Sequence, residues 1–250
     1  MTISFRKQLL AKQLLWGTLI SLPSAEIAEI LADARFDWLF IDLEHSPMEF
    51  KDVQRILQAV GKDIAGIIRI PSNDDVWIKK ALDIGAAGVM VPLVNSADDA
   101  RQAVTWSKYP PGGSRSVGVG RAHRYGAALQ ATIDTANDET AVIVQVEHIT
   151  AVENIDAIIS VEGVDAVLIG PYDLSASMDI PGKVTDPAVQ AAIEKVRITC
   201  QQQGMPVGIF TASIQYARDC ARSGFTLIAV STDTLLLVEA ARSTLASLKA

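Results

Sequence analysis

Residues 38–47 read WLFIDLEHSP, an apolar run that ends in Asp42, Glu44 and His45 before Pro47 closes it. Apolar residues at consecutive positions, rather than alternate ones, mark a strand buried on both faces, the condition of a parallel sheet flanked by helices. Working outward, seven more runs share this character: LLWGTLISL (14–22), IAGIIRI (64–70), GVMVPLV (88–94), AVIVQVE (141–147), DAVLIG (165–170), PVGIF (206–210) and TLIAVS (226–231). Between them lie stretches of helical period, among them AEIAEILADA, EFKDVQRILQAV, DVWIKKALDIG, ADDARQAVTWS and PAVQAAIEKVRITCQQQG. Several open on Ser or Asp at an N-cap position and close on Gly. Eight strand–helix units in a chain of 250 residues predict a single-domain (β/α)8 TIM barrel over residues 1–250, in preference to an open doubly wound sheet.

The bulk composition fits this. A hydrophobic fraction of 49% supports a large core and 20% charged residues suit an ordinary surface. No apolar stretch reaches the ~20 residues a membrane-spanning helix needs, and the first residues carry no signal-like cleavage site, so a cytoplasmic protein without membrane contact is expected. A net charge of −7 speaks against a nucleic-acid partner, which would call for clustered Lys and Arg. Cys200 and Cys220 have no metal or redox spacing and read as buried thiols. One connection, YPPGGSRSVGVGRAHRYG (109–126), is too long and too rich in Gly, Pro and Arg for a simple turn, and reads as functional or interfacial.

A barrel assembles its active site at the C-terminal ends of its strands, and the polar residues fall there. Asp42, Glu44 and His45 end the second run, Arg69 the third, Gln145, Glu147 and His148 the fifth, and Asp173 follows the sixth in IGPYDLS. Glu147 and Asp173, from adjacent strands, could converge on one hard cation, and two carboxylates with open positions suit Mg2+ or Mn2+ better than zinc. The alternative pairs Glu147 with Arg69 and leaves Asp173 to cap a helix. His45 could serve as a general base with Asp42 fixing its tautomer, or as a hydrogen-bonded structural residue. His148 could simply pack at a helix entrance, and His123, in the long loop, could face substrate or a neighbouring subunit. Arg69 needs an anionic partner, either a substrate carboxylate or enolate, or else Glu44 or Glu147. None of the ten lysines lies in a predicted strand, which disfavours Schiff-base chemistry. The loops GIFTASIQ and VSTDTLL lack a glycine-rich phosphate cradle.

Taken in order, FIDLEHSP, IIRIPSND, LDIGAAGVMVPLV, YPPGGSRSVG, VQVEH and IGPYDLS resemble the HpcH/HpaI family of class II pyruvate-dependent aldolases, over residues 14–240. The resemblance implies a divalent-metal enzyme (Mg2+ or Mn2+, with Co2+ another candidate) that needs no organic cofactor. Such an enzyme reversibly cleaves 4-hydroxy-2-oxo acids to pyruvate and an aldehyde. It implies Glu147 and Asp173 as metal ligands, Arg69 as the stabiliser of the enolate oxygen and Gln145 as an orienting group. His45 assisted by Asp42 would be the acid/base, Asp83 would approach that dyad from a neighbouring subunit, and backbone amides near Tyr172 and Asp173 would hold the substrate carboxylate. It further implies a homo-oligomer, a hexamer built as a trimer of dimers. Two positions depart from the best-known relatives: Tyr172 stands where they carry a small residue, and His148 where they often have Thr or Ser. Competing readings are a phosphoenolpyruvate- or acyl-CoA-using carbon–carbon lyase of the same barrel group, and a non-catalytic oxo-acid-binding barrel.

Overall fold

The computed structural model describes residues 4–61 and 64–249. Eight strands close into one parallel barrel in chain order: β1 Leu15–Ile20, β2 Trp38–Asp42, β3 Ala65–Arg69, β4 Gly88–Val91, β5 Ala141–Val146, β6 Ala166–Ile169, β7 Val207–Thr211 and β8 Leu227–Thr232. The runs apolar on both faces are thereby explained. One set of side chains fills the barrel, with Leu15, Trp38, Phe40, Ile67, Met90, Ile143 and Leu168 among them, and the alternate set, including Leu39, Ile41, Ile68, Val89, Val144 and Ile169, packs outward under the helices. Register inside the barrel is tight. A Cβ on Gly17 would come within 2.4 Å of the Trp38 indole, so only glycine lets Trp38 fill the floor of the barrel.

The helices are α1 Phe5–Leu10, α2 Ala25–Asp33, α3 Phe50–Ala59, α4 Asp75–Asp83, α5 Ala97–Ser107, α6 Leu129–Glu139, α7 Ile149–Glu153, α8 Ile155–Ile159, α9 Pro171–Ser177, α10 Pro187–Gln202, α11 Ile214–Arg222 and α12 Asp233–Lys249. Side chains of Ser24, Asp74, Ser96, Asp186 and Ser213 accept backbone N–H bonds at the starts of α2, α4, α5, α10 and α11, each contributing about 1 kcal/mol. The seam between β8 and β1 is tied by the buried Asp233 carboxylate, which accepts from the Ser21 and Leu22 backbone N–H groups and from Ser21 Oγ. Among the described residues no helix is long and apolar enough to cross a membrane.

The long connection is pinned rather than loose. Residues 121–126 form a distorted 3-10 turn. Arg121 donates to the carbonyls of Ile84 and Leu57, and Arg115 pairs with Asp83 at 2.8 Å. His123 is fully buried, with Nε2 2.9 Å from the Tyr109 hydroxyl, so within its own chain it reaches neither the barrel mouth nor the surface. Cys200 and Cys220 are both buried, and burial pushes their thiols up to about 12 and about 11.

Candidate active site

Strand alternation decides which residues face the barrel axis. On β2 the inward series Trp38, Phe40 continues to Asp42; on β3 Ile67 continues to Arg69; on β5 Ile143 continues to Gln145 and then Glu147, one residue past the strand; on β6 Leu168 continues to Gly170. Apolar layers below and polar groups above follow from one rule. Arg69, Gln145 and Gly170, with His45 and with Asp173 in the first turn of α9, line a cavity of about 120 Å3.

Asp42 and Arg69 are register partners on neighbouring strands, and their side chains meet accordingly. Arg69 Nε and Nη2 donate to the two Asp42 oxygens at 2.9 and 2.8 Å. The same Nε stands 3.2 Å from Glu44 Oε2, and the guanidinium lies over the Phe40 ring, 5.0 Å from its centroid. Burial works against the Arg69 charge, but Asp42 and then Glu44 outweigh it and hold the guanidinium above its ordinary range. Burial also raises the Glu44 carboxyl, against the pull of Arg69 and His45.

This corrects the expectation that Asp42 serves the His45 ring. Both Asp42 oxygens are committed to Arg69, and His45 meets Asp42 only through its backbone N–H at 3.3 Å. The imidazole stands at the rim, its side chain 62% exposed, with Nε2 3.7 Å from Glu44 Oε2. Neither does Glu147 pair directly with Arg69. Glu147 is buried; its Oε1 accepts from the Leu93 backbone N–H at 2.8 Å and its Oε2 from Gln145 Nε2 at 2.5 Å. Burial pushes the Glu147 carboxyl up to about 7; the Leu93 bond lowers it, while Glu44 and Asp173 add to the rise. Leu93, at φ 53° in the left-handed region, aims its amide at this carboxylate, a role with no signal in the run GVMVPLV.

Two of the expected residues lie apart from this group. His148 caps α7, its Nδ1 accepting from the Thr150 N–H at 3.1 Å. Asp83 is the last residue of α4, at the end of the barrel opposite the mouth, and it is held there by Arg115.

The donor set suits a divalent cation on three structural grounds. The buried Glu147 carboxylate has acidic neighbours, and the nearby guanidinium is committed to Asp42 and Glu44. The Gln145 Oε1 oxygen is buried without a hydrogen-bond partner. At Gly170 a Cβ would sit 3.1 Å from Glu147 Oε2 and 3.2 Å from Gln145 Nε2, so the missing side chain leaves room beside these groups. Among the described residues no group of three or more His, Cys, Asp or Glu forms a cage, so an ion here would rest on two carboxylates and keep open positions, the habit of Mg2+ rather than of structural zinc.

A closed parallel barrel with acidic groups, an amide and a guanidinium gathered at its strand ends defines an α/β-barrel enzyme. The family model of the HpcH/HpaI aldolase/citrate lyase family matches residues 15–240. Among similar proteins, a 2-dehydro-3,6-dideoxy-6-sulfogluconate aldolase of Pseudomonas putida is 40% identical, over 93% of this chain and 92% of its own. A 4-hydroxy-2-oxo-heptane-1,7-dioate aldolase of Escherichia coli is 41% identical, over 96% and 92%. The crystal structure of a family protein from Burkholderia cenocepacia J2315 superposes with a TM-score of 0.95 at 35% identity, covering 98% of each chain. The chain belongs to the HpcH/HpaI aldolase/citrate lyase family and is an enzyme of the aldolase type.

Proposed function

We infer that the protein is a class II, divalent-metal-dependent aldolase that reversibly cleaves 4-hydroxy-2-oxo acids to pyruvate, or a related 2-oxo acid, and an aldehyde. The observation that carries this reading is the buried Glu147 carboxylate at the end of β5, hydrogen-bonded to Gln145 and within electrostatic reach of Asp173 and Arg69, beside a cavity that Gln145, Asp173 and Arg69 line. Glu147 and Asp173 would hold the ion, Mg2+ or Mn2+, which supplies Lewis acidity toward the oxygens of the 2-oxo acid. Arg69, fixed by Asp42, presents a guanidinium where an enolate oxygen develops negative charge, and its rigid mounting means no reorganisation is needed as the charge appears. The backbone amides around Tyr172 and Asp173, at the start of α9, would hold the substrate carboxylate. His45, exposed at the rim with Glu44 Oε2 3.7 Å from its Nε2, would be the group that moves a proton. Asp83 would join His45 only across a subunit contact.

A homo-oligomer is part of this reading. Of α12, only Asp233 is buried; from Glu239 to Lys249 every residue is exposed, Leu245 and Leu248 included. A helix at the eighth position of a barrel normally covers the outer face between the last and first strands, yet here Trp16 and Val230 on that face stay partly open. A second copy of the chain is the partner that would satisfy both surfaces. Light scattering on the full chain, and on a chain ended before residue 239, is expected to show an oligomer and a smaller species; identical masses would remove this support.

The activity is tested by incubating the enzyme with pyruvate in D2O and following the methyl signal by proton NMR. Exchange that requires Mg2+ or Mn2+ and stops with EDTA is expected. Exchange that persists in excess EDTA, or none with any divalent ion, would overturn the reading.

A further inference from the structure

The end of β4 is shaped by backbone rather than by side chains. β4 pairs with β5 as far as Val91 and Val144. Pro92 follows, with no N–H to carry the ladder on, and at Leu93 the chain turns into the left-handed region at φ 53°. The Leu93 N–H then donates to Glu147 Oε1 at 2.8 Å. Left-handed backbone is unfavourable for any residue with a Cβ, and burial of the leucine does not account for it, because Leu93 is 56% exposed. The flanking residues hold the turn instead. Pro92 and Val94 are buried on either side of it, and Asn95 is tied down twice, its N–H donating to Asp99 Oδ2 and its carbonyl accepting from Asn154 Nδ2. A strained residue over-determined by its neighbours at the mouth of a barrel points to a use for the strain.

That use falls on Glu147. Its two oxygens are held in different ways. Oε1 accepts from a backbone donor that cannot leave without undoing the Leu93 turn, whereas Oε2 accepts from Gln145, a side-chain amide that can rotate about its own bonds. The carboxylate is therefore anchored at one oxygen and able to exchange partners at the other. Oε2 is also the oxygen beside Gly170, where a Cβ would come within 3.1 Å, so the space left by the missing side chain borders the exchangeable oxygen. Hydrogen bonds behind a ligating carboxylate fix its aim and raise its affinity for a metal.

Resting on the metal-dependent reading above, we propose that Leu93 is a positioning residue for the metal site: its left-handed backbone fixes Glu147 through Oε1 and leaves Oε2 as the oxygen offered to the ion. The conformation and the N–H perform this task, and the leucine side chain takes no part in it.

Calorimetric titration of the metal-stripped, full-length protein with Mn2+ separates backbone from side chain. Leu93→Gly, which takes positive φ freely, and Leu93→Ala, which keeps the N–H and loses most of the side chain, should stay within about threefold of the wild-type affinity. Leu93→Pro lacks the N–H and cannot reach φ 53°, so Mn2+ binding should weaken by about 10- to 100-fold. Leu93→Val, whose branched Cβ opposes the turn, should fall between these limits. Retention of affinity in the glycine variant beside its loss in the valine variant is the signature of a conformational role. Wild-type affinity in folded Leu93→Pro, or in Leu93→Val should the proline variant not fold, overturns the proposal. Equal weakening in Leu93→Ala and Leu93→Pro also overturns it, by assigning the effect to the side chain. Glu147→Gln, titrated alongside, separates the two levels. If the wild type binds no Mn2+, or Glu147→Gln binds it equally well, the metal-site reading fails and this inference with it. Binding that depends on Glu147 but is level across the Leu93 series defeats this inference alone.

Discussion

Asp42→Asn separates the role seen in the structure from the one read in the sequence. Asparagine keeps the shape and one accepting oxygen but removes the charge, leaving Arg69, itself buried, with Glu44 alone at 3.2 Å. Breaking a buried ion pair outright costs about 3–5 kcal/mol and a charged hydrogen bond contributes about 1.5–3 kcal/mol, so with one bond retained a loss of about 2–3 kcal/mol is expected. For a chain of this length that is a fall in Tm of roughly 5–10 °C. The guanidinium, no longer gripped at two points, loses its fixed aim at the reacting oxygen. Small misplacements of such groups cost up to about 10²-fold, so a reduction of about 10- to 100-fold in kcat for metal-dependent exchange should follow. The pH–rate profile is the decisive readout, because Asp42 makes no contact with the His45 ring. Its limbs should stay where they are in the wild type while kcat drops. A near-normal kcat with a displaced limb would return Asp42 to the service of His45 and refute the assignment.

Gly170→Ala places a Cβ 3.1 Å from Glu147 Oε2 and 3.2 Å from Gln145 Nε2, so the carboxylate must give by a few tenths of an ångström; a folded protein with about tenfold weaker Mn2+ binding by calorimetry is expected, and unchanged binding would show the cradle to be incidental. Lys108 is buried against the carbonyls of Asn137 and Thr140, and burial draws its amine from 10.5 down to about 8. The folded state thus releases this proton at lower pH than the unfolded chain does. Wild-type stability should therefore rise with pH between about 8 and about 10.5 relative to Lys108→Met, by on the order of 3 kcal/mol, the advantage being lost as pH falls through 8. Urea denaturation of both proteins across that range would show parallel curves if the buried charge had no such effect.

The barrel was legible because each strand carries its own signature: AVIVQV and AVLI are apolar on both faces, and Ser or Asp caps five of the intervening helices where the periodicity starts. The position of the site followed, since Arg69, Gln145 and Glu147 end inward-facing series. Partner choice was not legible. Whether Asp42 turns to Arg69 or to His45 depends on the β2–β3 register, which pairs Asp42 with Arg69 directly, and one sequence does not state a register. The Leu93 amide escaped notice because a backbone donor leaves no side-chain trace. Phe210, which lines the cavity, escaped because it lies in a run, PVGIF, whose apolar residues read equally well as core. The loop 109–126 reads from composition as functional or interfacial; it is bound to α4 through Arg115 and Arg121, at the far end of the barrel from the mouth.

Everything proposed for the chemistry requires one divalent ion between the acidic side chains that follow β5 and β6. Calorimetric titration of the metal-stripped enzyme with Mn2+, repeated on Glu147→Gln and Asp173→Asn, measures this without relying on turnover. One ion per chain in the wild type, with affinity reduced at least about 100-fold in each variant while the circular dichroism spectrum is unchanged, is the expected result. Equal affinity in all three proteins would place the ion elsewhere and contradict the account.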